Sequence, residues 1–211
     1  MRPIGIFGGT FDPIHYGHLR TALELKLRVS LAEVRFVPSA SPPHRQDALA
    51  AGASRVEMVR AAIAGAEGFV LDEREFGREG PSYTVDTLES LRDENPRTPL
   101  CLLMGMDAFL SLPEWYRWRD LISFAHIVVA HRPGWQASAG GELGKLFDQC
   151  NTIDVEALRE TLCGRIYVSP VTQLEISATD LRDGIRAGFD PRYLVPDSVR
   201  RIIIDSECYA A

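Results

Sequence analysis

The chain has 211 residues, of which 45% are hydrophobic and 25% are charged. This composition is ordinary for a globular protein, and the length suits one α/β domain with a sizeable core. The formal net charge of −6 argues against a surface that covers nucleic acid, because such surfaces depend on many Lys and Arg contacts to phosphates. An anionic ligand must therefore meet a local positive site.

The cysteines and the apolar runs favour a protein in a reducing compartment. The four cysteines show no C-x-x-C spacing, and we predict that they are reduced and mostly structural. The apolar run within residues 1–9 is too short for the hydrophobic part of a signal peptide. No other run approaches the roughly 20 residues that span a bilayer. We therefore predict a cytoplasmic protein with no membrane partner.

Short apolar runs that alternate with segments of helical spacing predict a parallel sheet. The predicted strands are Ile4 to Phe7, Glu33 to Val37, Phe69 to Asp72, Leu100 to Met104, His126 to Ala130 and Arg165 to Val168. Leu100 to Met104 is almost continuously apolar, which predicts a central strand covered by helices on both faces. The predicted fold class is α/β, a Rossmann-like, doubly wound parallel sheet with helices on both faces.

The segments between the strands carry helix signals. In the first segment, Leu19, Leu23 and Leu27 lie on one helical face. Ser54 and Glu57 have the spacing of a capping box and predict the start of a second helix. Further along, the sequence predicts a helix with Val85, Leu88 and Leu91, a mobile surface loop from Gly134 to Gly144, and a final helix from Pro196 to Ile204.

A glycine-rich turn follows the first predicted strand and precedes the first helix. It reads G-G-T-F-D-P-I-H-Y-G-H from Gly8 to His18. At the carboxyl edge of a parallel sheet, glycines let the backbone approach phosphates, and a helix N-terminus offers free N–H groups. A helix that begins near Ile14 would place His15 and His18 on one face, where both imidazoles can donate to one polyphosphate. Without the glycines, an H-x-x-H pair is equally often structural, or half of a metal site.

A second candidate motif, I-S-A-T-D-L-R, runs from Ile176 to Arg182. Ser177 and Asp180 have the spacing of a capped helix start, and Arg182 follows in the first turns of that helix. A helix N-terminus beside a guanidinium can clamp a polyphosphate, because Arg donates bidentate hydrogen bonds and keeps its charge. On its own, this motif is more often an ordinary capped surface helix.

Together, the two motifs resemble those of the H-x-G-H nucleotidylyltransferase superfamily. Within it, the chain is similar to the bacterial nicotinate-nucleotide adenylyltransferases, because further segments fall in the expected order. These segments are Pro42-Pro43-His44-Arg45, Pro81 to Leu88, Gly105-Met106-Asp107, Trp115-Tyr116 and His131 to Gly134. The resemblance runs from Ile4 to about Arg186. It departs from the family at Arg45, where many relatives carry lysines around the proline and histidine.

The resemblance implies an activity and assigns roles to residues. The activity is transfer of AMP from ATP to nicotinate mononucleotide, which gives nicotinate adenine dinucleotide and pyrophosphate in NAD biosynthesis. The implied catalytic residues are His15, His18 and Arg182. The implied ATP-binding residues are Gly8, Gly9, Thr10, Phe11, Gly105, Asp107, Ile176, Ser177 and Thr179. The implied nicotinate-nucleotide site comprises His44, Arg45, Tyr83, Thr84, Trp115, Tyr116 and Arg132.

The resemblance also implies a cofactor and a domain organisation. Mg²⁺ would be delivered with ATP rather than held by a dedicated set of protein ligands, with Asp12 or Asp107 near its waters. A single nucleotidylyltransferase domain would span residues 1–211, with the helical part from about 177 to 211 packed on the sheet. The resemblance leaves a homo-oligomer open.

Other functions stay open at this point. The same transfer could use nicotinamide mononucleotide or phosphopantetheine as the acceptor, although the Pro-Ser-Tyr-Thr and Trp-Tyr segments favour the nicotinate ring. The chain could bind ATP as a sensor without catalysing transfer, although both histidines and Arg182 are intact. A nucleic-acid-binding domain is disfavoured by the acidic charge. Trp115 and Trp118, taken alone, would be read as packing residues.

Overall fold

The computed structural model describes residues 1–41, 50–131, 140–172 and 174–210. Its strands are β1 Ile4–Gly9, β2 Glu33–Pro38, β3 Phe69–Leu71, β4 Leu100–Gly105, β5 His126–His131, β6 Asn151–Thr152 and β7 Ile166–Pro170. Within these ranges they form one sheet in the order β3-β2-β1-β4-β5-β7-β6, and every neighbouring pair is parallel. All six predicted strands are confirmed with bounds that shift by one or two residues, and the short β6 is an addition.

The helices connect successive strands or follow the sheet. They are α1 Tyr16–Arg28, α2 Gly52–Ile63, α3 Thr84–Glu94, α4 Met106–Leu110, α5 Leu121–Phe124, α6 Gly141–Cys150, α7 Ala157–Glu160, α8 Ala178–Arg186 and α9 Asp197–Ser206. Short 3-10 helices are found at Arg74–Gly77, Leu112–Glu114 and Trp118–Asp120. In the part of the chain that the structure describes, no helix combines the length and apolar character needed to cross a membrane.

Two buried clusters lie on opposite faces of the sheet. Along β4, Cys101 and Leu103 join one cluster, whereas Leu100, Leu102 and Met104 join the other, because successive strand side chains point to opposite faces. The first cluster also contains side chains of α1, α2 and α9, and the second contains side chains of α3, α4, α5 and α6. The predicted doubly wound fold with helices on both faces is therefore confirmed, and so is the central position of the fourth predicted strand.

The helix predicted after the first motif is confirmed, but its leucine face is not the buried one. Leu23 and Leu27 are 44% and 66% exposed, whereas Leu25 is fully buried. The helix turns this other side inward, where the Glu24 carboxylate accepts a hydrogen bond of 2.9 Å from the Thr172 backbone N–H. A buried carboxylate with a backbone partner is a tertiary contact that helical periodicity cannot foresee.

Two further predictions need correction. Ser54 does not cap α2, since the helix begins at Gly52 and its capping position is Ala51. The predicted mobile loop is wrong at its far end, because Gly141 to Gly144 form the first turn of α6. Leu143 is buried in the second cluster, so packing overrides the low helix propensity of the glycines around it. Residues 134–139 lie outside the described ranges. The final helix is confirmed.

Candidate active site

The strand order predicts a ligand-binding crevice at the carboxyl ends of β1 and β4. The chain leaves β1 towards β2 and β3 on one side and returns to β4 on the other side, and open α/β sheets bind ligands at this kind of switch point. Gly8 and Gly9 end β1, and Gly105 ends β4. A Cβ added at Gly8 or Gly105 would meet no atom of the described chain within 4 Å. Each of the two glycine segments therefore leaves local room at the carboxyl edge of the sheet.

The paired histidines stand at the start of α1. The helix begins at Tyr16 rather than near Ile14, because His15 is the capping residue and has an extended backbone. The His15 backbone N–H donates to Nδ1 of His18 at 3.3 Å, and the two imidazoles stack with ring centroids 3.7 Å apart. Since Nδ1 of His18 accepts this bond, the neutral ring carries its proton on Nε2. His18 thus presents an N–H donor whose tautomer the backbone fixes.

His15 is buried and neutral. Its ring is only 5% exposed, and desolvation lowers its pKa from 6.5 to about 4. Its Nδ1 atom is buried and has no hydrogen-bond partner among the described residues, which is rare for a buried polar atom. A Cβ at Gly17 would lie 2.9 Å from this Nδ1. Gly17 is therefore needed to make room for the imidazole, a reason that the sequence did not reveal.

The lowered pKa of His15 predicts a pH-dependent stability. Between pH 7 and pH 5 the unfolded chain gains a proton at this histidine while the folded chain does not, so the free energy of unfolding falls as the pH falls through this window. We expect the fall in His15→Gln to be about 2 kcal/mol smaller than in the parent. Urea unfolding of both proteins at the two pH values measures the difference. Equal falls would show that His15 is not buried in its neutral form.

The second motif contacts the first, through two residues that are 170 positions apart in the sequence, Asp12 and Arg182. Ser177 caps α8, and its hydroxyl accepts a hydrogen bond from the Asp180 backbone N–H. Arg182 Nη1 donates to the Asp12 carbonyl oxygen at 2.8 Å, and Nη2 donates to Thr179 Oγ1 at 3.3 Å. The Arg182 Nε atom is buried and has no partner in the described part of the chain. The guanidinium therefore lies beside the turn that leads to the histidines, with one N–H unused.

Two of the predicted ATP residues are packed into the core. Phe11 is 2% exposed, has a left-handed backbone with φ of 49°, and lies edge-on to His18 with centroids 5.2 Å apart. Ile176 is half-buried against the first cluster. The burial of the Phe11 side chain implies that a direct contact of Phe11 with a nucleotide would come from its backbone atoms.

The predicted nicotinate residues occupy the segments around the start of α3 and the 3-10 helix at Leu112–Glu114. Tyr83 directly precedes α3, and its ring lies 4.4 Å from that of Tyr116, which is 52% exposed. Trp115 is half-buried against the second cluster, and Thr84 is the first residue of α3. The predictions for three other residues lie outside the described ranges: His44, Arg45 and Arg132.

Sequence reasoning missed a buried arginine under the crevice. Arg55 in α2 is 2% exposed and donates to four carbonyl oxygens, those of Thr10 at 2.8 Å, Ser39 at 2.7 Å, Ala40 at 3.5 Å and Ala50 at 3.3 Å. It therefore ties the turn after β1 to the chain on either side of residues 42–49. Nothing in the local sequence distinguishes it from a solvated helix arginine.

The carboxylates near the crevice differ in what they can do. Asp12 is 3% exposed, and its Oδ1 accepts from the Tyr209 hydroxyl at 2.6 Å and from the Ala50 backbone N–H at 3.3 Å. These contacts argue against the suggestion that Asp12 touches the waters of a metal ion. Asp107 is exposed in the first turn of α4. Across the described ranges, no three His, Cys, Asp or Glu side chains cluster in a way that could hold a metal.

The open space at Gly8 gives a direct test of the crevice. Gly8 has no left-handed backbone, and an added methyl group would meet no described atom, so Gly8→Ala should leave the free energy of unfolding unchanged. Because the sequence predicts that Gly8 lies against the ATP phosphates, the methyl group would occupy their space, and we expect KM for ATP to rise at least about tenfold. Gly5→Ala is the matched control in the same strand. Its Cβ would lie 2.7 Å from Leu31 Cδ1, so it should lower stability instead.

Comparison with known proteins places this architecture in a family. The model of the cytidylyltransferase-like family matches residues 6–184. The chain is 48% identical to a protein of Aeromonas salmonicida named "probable nicotinate-nucleotide adenylyltransferase", over 99% of this chain and 98% of the relative. It is 47% identical to a protein of Methylococcus capsulatus with the same name, over 98% and 99% of the two chains.

A solved structure shares the fold at low sequence identity. The nicotinic acid mononucleotide adenylyltransferase of Plasmodium falciparum, complexed with NaAD, is similar with a TM-score of 0.74 and 16% identity, over 99% of this chain and 98% of that one. This likeness concerns the fold, whereas the family model and the full-length relatives concern the sequence. The chain therefore belongs to the cytidylyltransferase-like family and, within it, to the nicotinate-nucleotide adenylyltransferases.

Proposed function

We propose that this protein transfers AMP from ATP to nicotinate mononucleotide, giving nicotinate adenine dinucleotide and pyrophosphate in NAD biosynthesis. One observation carries the proposal. The Arg182 guanidinium donates to the Asp12 carbonyl oxygen at 2.8 Å, which joins the two sequence motifs at the switch point between β1 and β4. The names of the full-length relatives support this activity.

The ATP phosphates would lie between the end of β1 and the start of α8. Gly8 leaves open space for a phosphate, and the backbone of Gly9 and Thr10 follows it along the same turn. On one side the phosphates would meet the imidazoles of His15 and His18. On the other side they would meet donors of Arg182, Ser177 and Thr179, at the N-terminus of α8, where free N–H groups and the helix dipole favour anions.

The chemistry requires positioning more than acid–base catalysis. A phosphate oxygen of nicotinate mononucleotide attacks the α-phosphorus of ATP in line, the bond from that phosphorus to the bridging oxygen breaks, and pyrophosphate leaves with the electron pair. A phosphate monoester has a second pKa of about 6, so the attacking group is a dianion at neutral pH and needs no base. The donors of His15, His18 and Arg182 stabilise the charge that moves onto the leaving oxygens.

The acceptor would lie on the other side of the crevice, near the start of α3. Thr84 is the first residue of that helix, and free N–H groups there suit the ring carboxylate of nicotinate, which the amide of nicotinamide lacks. The aromatic rings of Tyr83, Trp115 and Tyr116 suit packing against the pyridine ring. Roles for His44, Arg45 and Arg132 in binding the mononucleotide remain predictions. Gly105 and Asp107, at the end of β4, would lie by the adenosine.

Mg²⁺ would arrive with ATP. The donor set in the described ranges fits this arrangement, because Asp12 is already engaged by Tyr209 and Ala50, and because Mg²⁺ prefers phosphate oxygens and water to a cage of protein ligands. The exposed Asp107 carboxylate could contact its waters. Bound in this way, the ion would offset negative charge on the phosphates.

The organisation of the chain and its surroundings also stay predictions. A single domain over residues 1–211 is supported by α9, since Val199 and Ile203 pack in the same cluster as Leu25 and Phe36. A cytoplasmic location and the lack of nucleic-acid partners rest on the sequence argument alone, and a homo-oligomer stays open.

Pyrophosphate release tests the proposed function. Purified protein is incubated with ATP, Mg²⁺ and either nicotinate mononucleotide, nicotinamide mononucleotide or phosphopantetheine, and the adenylylated product is identified by mass. We expect nicotinate mononucleotide to give the highest kcat/KM. ATP binding without pyrophosphate release on any acceptor would indicate a nucleotide sensor instead, and a higher kcat/KM on another acceptor would reassign the substrate.

A further inference from the structure

The buried Asp12 carboxylate, in the turn after β1, contacts three different parts of the chain. Its Oδ1 accepts from Tyr209 and from the Ala50 backbone, and its Oδ2 lies 3.9 Å from Arg182 Nη1. Its carbonyl oxygen accepts from the same Nη1 at 2.8 Å. The residue that orients the Arg182 guanidinium is therefore itself oriented by a phenol from beyond α9.

Tyr209 is built to hold that carboxylate. Its ring is 2% exposed and belongs to the first cluster, with Phe36 and Met58. Burial, and then the hydrogen bond to Asp12, raises the pKa of the phenol well above its usual range. The hydroxyl therefore stays protonated and donates at every working pH. The hydrogen bond from the Tyr209 hydroxyl to the Asp12 carboxylate is 2.6 Å long. A hydrogen bond to a charged group is stronger than one between neutral groups.

We propose that Tyr209 is a positioning residue for ATP: by fixing the Asp12 carboxylate, its hydroxyl sets the Arg182 guanidinium in the orientation that grips the triphosphate. Tyr209 itself would touch neither substrate. The proposal rests on the proposed function, because it assigns Arg182 to the ATP phosphates. Tyr209 lies outside both sequence motifs, and only the folded structure brings it next to Asp12.

The test uses Tyr209→Phe, which removes one hydroxyl and keeps the buried ring. We expect KM for ATP, and the Kd for α,β-methylene-ATP measured by calorimetry, to rise roughly tenfold, the usual effect of losing a hydrogen bond to a charged group. KM for nicotinate mononucleotide should stay within about twofold of the parent value, a split that a general loss of stability would not produce.

Ser198→Ala is the matched control. Ser198 Oγ donates to the Ala61 carbonyl oxygen at 3.0 Å and so also anchors the chain around α9, but away from Asp12. We expect it to lower the unfolding free energy, though less than Tyr209→Phe because its hydrogen bond is neutral, while leaving ATP affinity unchanged. If both variants weaken ATP binding equally, or neither does, the positioning role is refuted.

A double-mutant cycle with Arg182→Ala identifies the route. If Tyr209 acts through Arg182, then Tyr209→Phe should weaken analogue binding much less in the Arg182→Ala background than in the parent. An unchanged tenfold effect there would overturn the proposed route. Binding of the analogue does not depend on the acceptor, so failure of the adenylyl transfer to nicotinate mononucleotide would be seen separately, in the parent protein.

Discussion

Replacing His18 with alanine should lower kcat about a hundredfold or more, as expected when a donor to the transition state is lost. The Nδ1 atom of His18 accepts the His15 backbone N–H, which leaves the proton of the neutral ring on Nε2, the atom that we propose donates to a phosphate oxygen. The ring also lies edge-on to Phe7 and Phe11, with centroids 6.3 Å and 5.2 Å apart. Steady-state kinetics with saturating ATP and nicotinate mononucleotide measure the effect.

A conservative variant separates donation from packing. In His18→Gln the side-chain amide can bring an N–H near the position of the imidazole Nε2, so we expect it to recover part of the kcat that alanine loses. The thermal unfolding midpoints of both variants should lie close to that of the parent, because the His18 ring is only partly buried. Near-normal turnover of His18→Ala would remove this residue from the mechanism, and equal losses in both variants would favour a packing role.

The fold was predictable because its signals are local and repeated. Each of the six predicted strands is a short, largely apolar run, and β4, buried on both faces, is apolar at almost every position. The errors fall where a distant contact decides. In α1, the buried Glu24 carboxylate accepts a hydrogen bond from the Thr172 backbone N–H. In α6, burial of Leu143 in the second cluster favours a helix in spite of the neighbouring glycines. Neither contact leaves a trace in the spacing of nearby residues.

The sequence supplies candidate site residues, and these roles remain predictions, but it does not reveal how those residues contact one another. The two motifs contain both histidines and Arg182. The need for glycine at position 17 becomes visible only in the structure, where a Cβ at Gly17 would clash with the His15 ring. The buried supports Arg55 and Tyr209 carry no motif, since each acts through backbone or carboxylate oxygens brought near by folding. Sequence identifies groups that face a ligand more readily than groups that hold them.

Arg182→Ala should have the largest effect of all, on the order of a thousandfold in kcat, comparable to the loss of an arginine that stabilises phosphoryl transfer. Two of its nitrogens are held by Asp12 and Thr179, and its buried Nε has no described partner, so the guanidinium is fixed before ATP arrives. Arg182→Lys keeps the charge but loses the fork of donors. We therefore expect it to retain more activity than alanine but far less than the parent.

Arg186→Ala is the matched control for this prediction, because it removes the same charge from the same helix. Arg186 is 40% exposed and pairs with Asp183, and an exposed pair of this kind contributes little to stability. We expect unchanged kcat and KM, measured at the same ionic strength as for Arg182→Ala. If the two alanine variants lose activity equally, the effect of Arg182 is one of general charge. If only Arg182→Ala loses activity, its position beside Asp12 decides the effect, since position is what distinguishes the two arginines.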